Sequence, residues 1–423
     1  SATSAWQEWA AAEFGGAGFG DARLDRRLVT IVASFTAAPM SSIPQASGGW
    51  AAAKATYRFL DNNRVEPEII YERHRQSVLA RAEAQPIVLA VADTTMLDYT
   101  NHPETEGLGP LSDLVHHGLM VHPTLLVTPT REPLGVIDAQ TWVRDIDEFG
   151  KHDATRKSRD VSEKESQKWL GSMAAAERLQ SELGDRTQVV SVFDREGDVY
   201  EVLATARLAE HRSRLLVRAK VDRRLKHPQQ KLWDHLAAEP VASTVAIEVP
   251  RRLRQKSRIA ELSLRFAKIT VQPPSPRPAS QGNQPIDLYA VYAHEDQASA
   301  GHQDPVSWML LTTMPVESAD QAWTIVQWYT CRWQIEILFK VLKSGCAAEE
   351  RQLETAERLK RCLAIDLVVA WRILYLTMVG RETPDLPCTV VFEDYEWKAL
   401  WVFVTKSRNA VPATTPTLRE ATR

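Results

Sequence analysis

Little in this 423-residue sequence points to a membrane, an oxidising compartment or a nucleotide cofactor. It has no run of about 18 or more apolar residues, and its opening Ser-Ala-Thr-Ser-Ala-Trp lacks the basic-then-apolar pattern of a leader. A soluble, cytoplasmic protein with no membrane partner is the expectation. The chain opens on Ser1 instead of Met, which suggests a processed or engineered start. Cysteine is scarce: Cys331, Cys346, Cys362 and Cys388 form no Cys-x2-Cys pair. A chain this long buries more than one core and needs no staples, so reduced thiols are expected. Neither charge sign dominates. A net charge of −3 and a pI near 6.4 argue against a protein that coats nucleic acid nonspecifically, and leave such contacts to local patches. No Gly-x4-Gly-Lys loop invites ATP. His116, His117 and His122 lack a second Cys/His cluster at ligand spacing, so zinc is not expected. No period of about 20 to 50 residues repeats.

What is present is a set of three acids in suggestive settings. Asp93 ends the apolar run Pro86-Ile-Val-Leu-Ala-Val-Ala-Asp93, and Asp194 ends Gln188-Val-Val-Ser-Val-Phe-Asp194; both runs read as buried strands. Glu336 lies within Tyr329-Thr-Cys-Arg332-Trp-Gln-Ile-Glu336-Ile-Leu-Phe-Lys340-Val-Leu-Lys343. That string has no internal Gly or Pro, and its steps of three, four and seven residues fit one face of a single helix. A lone Asp after a strand is more often a turn or a helix cap. Two acids at strand ends and one on a later helix can instead hold two divalent ions roughly 4 Å apart for phosphoryl transfer. Hard oxygen donors of this kind suit Mg²⁺, with Mn²⁺ able to substitute. Arg332 and Lys343 flank Glu336 as phosphate clamps, a planar fork and a point charge, and Lys340 points to the same region. On an exposed helix the same residues would be an ordinary solvated face. Tyr329 either donates to a phosphate or packs. Asp98, Glu196 and Asp198, acids beside turns, are left out of the metal set.

Between residues 212 and 268, 15 Lys and Arg stand against 5 Asp and Glu, with Arg218 and Lys220 in one of the two densest stretches and 251–258 as the other. A solvated basic surface would look the same. Its place between Asp194 and Glu336 favours a basic arm beside a scissile phosphate.

The fold class expected is α/β, an RNase H-like catalytic core with an inserted β-rich domain, a helical domain before it and C-terminal helices after it. Residues 1–80 read as helical over 6–14, 22–35, 49–60 and 65–84, with Arg26 and Arg27 together on the second helix. Residues 81–211 give a strand, a hairpin over 118–129 and 133–144, a loop over 145–159, a helix over 163–183 and the Asp194 strand, in RNase H-like order. Residues 212–305 form the β-rich basic insertion, 306–350 complete the core with the Glu336 helix, and 351–423 are helical.

These motifs together resemble the cut-and-paste DDE transposases of bacterial insertion sequences, the group that includes the tagmentation enzyme. The resemblance rests on Asp93-Thr-Thr, Phe193-Asp194-Arg-Glu-Gly-Asp198 and Tyr-x2-Arg-x3-Glu-x6-Lys. It also rests on Tyr57-Arg58-Phe59, Ser162-Glu-Lys-Glu-Ser-Gln-Lys168-Trp169 and Trp308-Met-Leu-Leu-Thr-Thr, so it runs over nearly the whole chain. It implies that residues 1–80 bind the element's ends, with Lys54, Tyr57 and Arg58 near DNA, although Tyr57 and Phe59 could equally be core aromatics. It implies that Trp308 stacks on a flipped base, for which packing is the rival role. The implied partners are duplex DNA with inverted-repeat ends, target DNA and a second copy of the chain in a synaptic homodimer. The implied chemistry is nicking, hairpin formation, hairpin opening and strand transfer. Members of the family usually continue into a C-terminal helical region that pairs subunits, so residues 351–423 are expected to be a trimmed version of it. Two other readings stay open: a nuclease of the same fold that does not join strands, and a noncatalytic DNA-binding inhibitor of transposition.

Overall fold

Helices α1 (Ala2–Phe14) and α2 (Ala22–Ala37) are separated by Gly16, Gly18 and Gly20, whose φ values of 71°, 91° and 75° turn the chain through the left-handed region. Asp21 starts α2 by accepting from the Arg23 amide at 2.9 Å. There follow α3 (Ile43–Ala46), α4 (Trp50–Leu60) and α5 (Pro67–Ala82), the last opened by a proline whose missing N–H costs nothing at a first helical position. The strands then run β1 (Ile87–Ala92), β2 (Thr95–Asp98), β3 (Gly109–Pro110), β4 (His117–Val127) and β5 (Pro133–Trp142). Next come α6 (Gln167–Leu183), β6 (Gln188–Phe193), α7 (Tyr200–Thr205), β7 (Arg214–Arg218), α8 (Leu232–Ala238), β8 (Ser243–Val249), β9 (Arg258–Val271), β10 (Ile286–Glu295) and β11 (Ser307–Thr312). Helices α9 (Ala319–Thr330), α10 (Trp333–Lys340) and α11 (Ala356–Glu382) follow.

This computed structural model describes residues 2–146, 167–226, 230–249, 257–275, 284–296 and 304–382, with short pieces beyond residue 386. Most of the expected loop at 145–159, the first part of the motif at 162–169 and the basic stretch 251–256 lie outside the described residues. So do most of the segments 392–401 and 417–423.

The chain forms two compact units. The first comprises Ser1–Ala84, Thr94–Lys151 and Gln334–Arg423. Its antiparallel hairpin β4–β5 is the one the sequence predicts, closed by a tight turn in which Arg131 adopts φ 72°. The two-residue β3 and the four-residue β2, neither foreseen, pair with β4. Helices α5 and α11 pack on β5, and the Trp371 indole N–H of α11 donates to the Pro133 carbonyl at 2.8 Å. Residues 356–379 of α11 are long and apolar enough to cross a membrane, but most of them are buried inside the unit.

A buried polar chain ties α1, α5 and β5 together. His74 accepts at Nε2 from the Val136 amide at 3.0 Å, so its Nδ1 carries the proton that it donates to Glu13 at 2.5 Å. Arg81 donates to the same carboxylate at 2.9 Å. Burial alone would raise the Glu13 pKa, but His74 and Arg81 outweigh it and hold the group at about 2 instead of 4.5. A carboxylate with a depressed folded-state pKa stabilises above its unfolded pKa and loses that contribution as pH falls. Glu13 is therefore expected to add about 3 kcal/mol at neutral pH, lost between pH 4.5 and about 2. Urea titrations of wild type and Glu13→Gln across that window should converge at its acid end.

The second unit comprises Gln85–Asp93 and His152–Trp333. Its sheet runs β1-β6-β7-β11-β10-β9-β8. Strands β1, β6 and β7 are parallel, and β11 to β8 continue antiparallel. Residues between 212 and 305 thus supply β7 to β10 of this one sheet. Trp169, Met173, Phe193, Leu203, Leu215 and Leu236 belong to its buried core.

Candidate active site

The register of the parallel strands sets up the site. Val91 pairs with Val192 and Phe193 with Val217. Continuing the same steps, Asp93 leaves β1 beside Asp194 leaving β6, and Asp194 stands level with Arg218 at the end of β7. Neighbouring strands lie about 4.8 Å apart, so two carboxylates and a guanidinium share one row at the carboxyl edge of the sheet. That edge is where open α/β sheets place their ligands.

Each member is held by its surroundings. Asp93 accepts from Arg332 Nη1 at 3.1 Å. Asp194 caps the 3₁₀ turn Arg195–Gly197, accepting from the Glu196 amide at 2.8 Å. A Cβ at Gly197 would sit 2.6 Å from Phe193 Cβ, so only glycine lets this turn fold back over β6. Arg218 Nη2 donates to the Ser307 carbonyl at 3.1 Å, and Arg218 also bonds the Tyr329 hydroxyl. Burial lowers the Arg218 pKa and raises that of Tyr329, the latter against the pull of Arg332 and Arg218 and with a push from Asp194. Tyr329 thus remains a neutral phenol, able to donate.

The string carrying Glu336 is not the single helix that its spacing predicts. Tyr329 lies in the last turn of α9, where Cys331 and Arg332 bond back three residues, at 3.1 Å each. Glu336 lies on α10, and Lys343 on a π turn, Val341–Gly345, in which the Cys346 amide reaches Val341 at 2.8 Å. The tightened turn and the widened one both break the 3.6-residue period, so spacing alone does not put Tyr329, Glu336 and Lys343 on one face.

The second unit therefore brings together Asp93, Asp194, Arg218, Trp308, Tyr329 and Arg332. Trp308 is only 5% exposed, edge-on to Tyr329 at 5.0 Å and to Trp333 at 5.9 Å. Lys220 is exposed just beyond Arg218. In the first unit Glu336 and Lys340 are exposed, and Lys343 pairs with Glu349 at 3.2 Å. Arg26, Lys54 and Arg58 are exposed on α2 and α4, Arg27 and Tyr57 are half-buried, and Phe59 is a core residue against Phe19.

Among the described residues no group of three or more His, Cys, Asp or Glu could hold a metal ion. The Asp93–Asp194 pair nevertheless offers hard, partly solvated oxygens side by side, a donor set of the kind Mg²⁺ takes. The acids left out of the metal set all have structural partners. Asp98 accepts from the Thr100 amide at 2.9 Å, Glu196 pairs with Lys168 at 3.5 Å, and Asp198 is buried against Arg223. None of these pairings was foreseen. Asp198 also accepts from the Lys220 and Val221 amides at 2.7 and 2.9 Å, fixing the chain that leaves β7. Lys168 is buried over the Trp169 ring and steadies the turn after Asp194. Nothing in residue spacing pairs Asp198 with an arginine 25 positions on, although a charged residue so close to an apolar run is the signal to look for one. His122 is buried and bonds Thr94 at 2.9 Å, while His116 pairs with Asp113, also at 2.9 Å.

Comparison with known proteins finds two family models. One described as transposase DNA-binding matches residues 6–65, and one described as transposase DDE domain matches residues 132–370. The second match, more than half of the chain, takes in Asp194 and Glu336 and begins after Asp93. Among solved structures, a cryo-EM structure of the piggyBac transposase synaptic complex with hairpin DNA is similar with a TM-score of 0.33 and 9% identity. That match covers 98% of this chain and 84% of the other, a likeness too slight to carry an argument.

Proposed function

Because the chain belongs to the DDE transposases, enzymes that cut DNA with divalent metal ions, we propose that it moves a bacterial insertion sequence by cut and paste, as a relative of the tagmentation enzyme. Asp93 and Asp194 are the first two carboxylates and Glu336 the third, on an RNase H-like core, with Mg²⁺ the working ion and Mn²⁺ a substitute. The observation that carries this reading is the shared row of Asp93, Asp194 and Arg218. Divalent ions held by these acids supply Lewis acidity toward the scissile phosphate.

The chain's own residues do the rest. Arg218 and the neutral Tyr329 donate to phosphate oxygens level with the carboxylates, and Arg332 orients Asp93. Lys340 and Lys343 add positive charge along the strand, and Lys220 extends it beyond the edge. Trp308 receives a flipped base once Tyr329 and Trp333 yield their edge contacts. Residues 1–80 bind the inverted-repeat ends through Arg26, Arg27, Lys54, Tyr57 and Arg58. The end is nicked by water, its 3′-hydroxyl closes a hairpin on the opposite strand, water opens the hairpin, and the freed end joins target DNA within a homodimeric synapse. Each step is an in-line displacement at phosphorus, so one site serves all four.

The test is a precut end duplex incubated with Mg²⁺ and plasmid target. Covalent joining of end to plasmid is expected. Hydrolysis with no joined product would reassign the chain as a nuclease, and no metal-dependent reaction at all would mark it as an inhibitor.

A further inference from the structure

Three depressions of about 470, 180 and 360 Å³ adjoin in the second unit, and Arg207 lines all of them. Arg214 lines two and Lys268 one. No carboxylate among the described residues pairs with Arg207, Arg214 or Lys268, whereas the neighbouring Arg212 is paired with Asp185. Asp287, which lines the same depression as the three cations, is engaged by the Thr270 hydroxyl at 2.6 Å. A scatter of solvated arginines would give isolated charges. Here three unpaired cations line one depression together with the half-buried Tyr289.

Position excludes the cleavage site as the destination. Arg214 opens β7, four residues before Arg218, which at about 3.3 Å per residue puts it ~13 Å from the row of Asp93, Asp194 and Arg218, at the opposite edge of the sheet. The basic segment that the sequence shows as one arm is therefore divided by its strands between two edges.

We propose that this groove binds the sugar-phosphate backbone of duplex DNA away from the scissile bond, a role that rests on the reading of the chain as a transposase. Arg207 and Arg214 fork onto phosphate oxygens, Lys268 supplies a third charge and Tyr289 packs on the sugar edge.

The test measures binding of the full chain to duplex DNA by fluorescence anisotropy over a salt series. The triple variant Arg207→Gln, Arg214→Gln, Lys268→Gln is expected to lower the slope of log K against log salt by about 2.7, at roughly 0.9 per phosphate contact. The charge-retaining pair Arg207→Lys, Arg214→Lys should keep the wild-type slope, which separates lost charge from lost folding. If the triple variant keeps the wild-type slope on every duplex, the groove is not a DNA site. If shortening the duplex abolishes the difference between wild type and variant, the groove holds the far part of one bound DNA. If the difference persists on short duplexes at two per chain, it holds a second DNA molecule. Metal-dependent cleavage, measured separately on saturated wild-type protein, decides the catalytic reading without affecting this slope.

Discussion

Asp194→Asn is expected to reduce metal-dependent cleavage and joining on the order of a thousandfold, while DNA binding stays at its wild-type level. The substitution keeps the shape of the side chain and its acceptor oxygen for the Glu196 amide, at 2.8 Å in the wild type, so the turn that it caps should persist. What it removes is one formal charge from the row beside Asp93. A metal ligand contributes several kcal/mol of charge stabilisation in the transition state, and about 4 kcal/mol corresponds to the thousandfold loss. Asp93→Asn should match it in rate and additionally weaken the charge-assisted bond from Arg332, which donates to Asp93 at 3.1 Å. Glu336→Gln should lose activity to the same extent if Glu336 completes the set. The measurement is single-turnover cleavage beside a gel shift on the same DNA. Activity within tenfold of wild type in Asp194→Asn would end the assignment of the row, and loss of binding together with loss of cleavage would make the residue structural.

The largest stability effect is expected at Asp366. Its carboxylate takes two bonds from Arg351, at 2.8 and 3.1 Å, with both side chains almost fully buried. The guanidinium also donates to the Ser41 carbonyl at 2.8 Å and lies over the Phe35 ring at 4.5 Å. One ion pair thus ties α11 to the segment after α2. Asp366→Asn strands a buried cation and should cost about 3 to 5 kcal/mol, whereas Arg351→Met combined with Asp366→Leu, which removes both charges, should recover most of that. Urea midpoints of the single and double variants decide it. Equal destabilisation in both would show that the packing around the pair, not its unmatched charge, is what matters.

How much of this could be read in advance differs from element to element. The strands ending at Asp93 and Asp194 were legible because an apolar run closed by an acid is a local pattern, and so was the hairpin with its Thr130-Arg-Glu-Pro connection. Four of the five N-terminal helices were legible for the same reason, with apolar residues at steps of three and four between glycines and prolines; the single-turn α3 is too short to show a period. Strand β2 was not: its four residues exist as a strand only through their pairing with β4. The break after Tyr329 was not either, since Thr330-Cys331-Arg332 contains no residue that stops a helix.

The sequence by itself determined which residue types are available for phosphate chemistry and their order along the chain, because strand and helix periods and the acids that end them are properties of neighbouring residues. Only the tertiary structure decided that Asp93, Asp194 and Arg218 stand in one row, that Arg332 serves Asp93, that Tyr329 covers Trp308, and that the basic segment serves two edges of a sheet. Those facts depend on strand register and on contacts between residues up to 239 positions apart, and a one-residue slip in register would have undone the row without changing any local pattern.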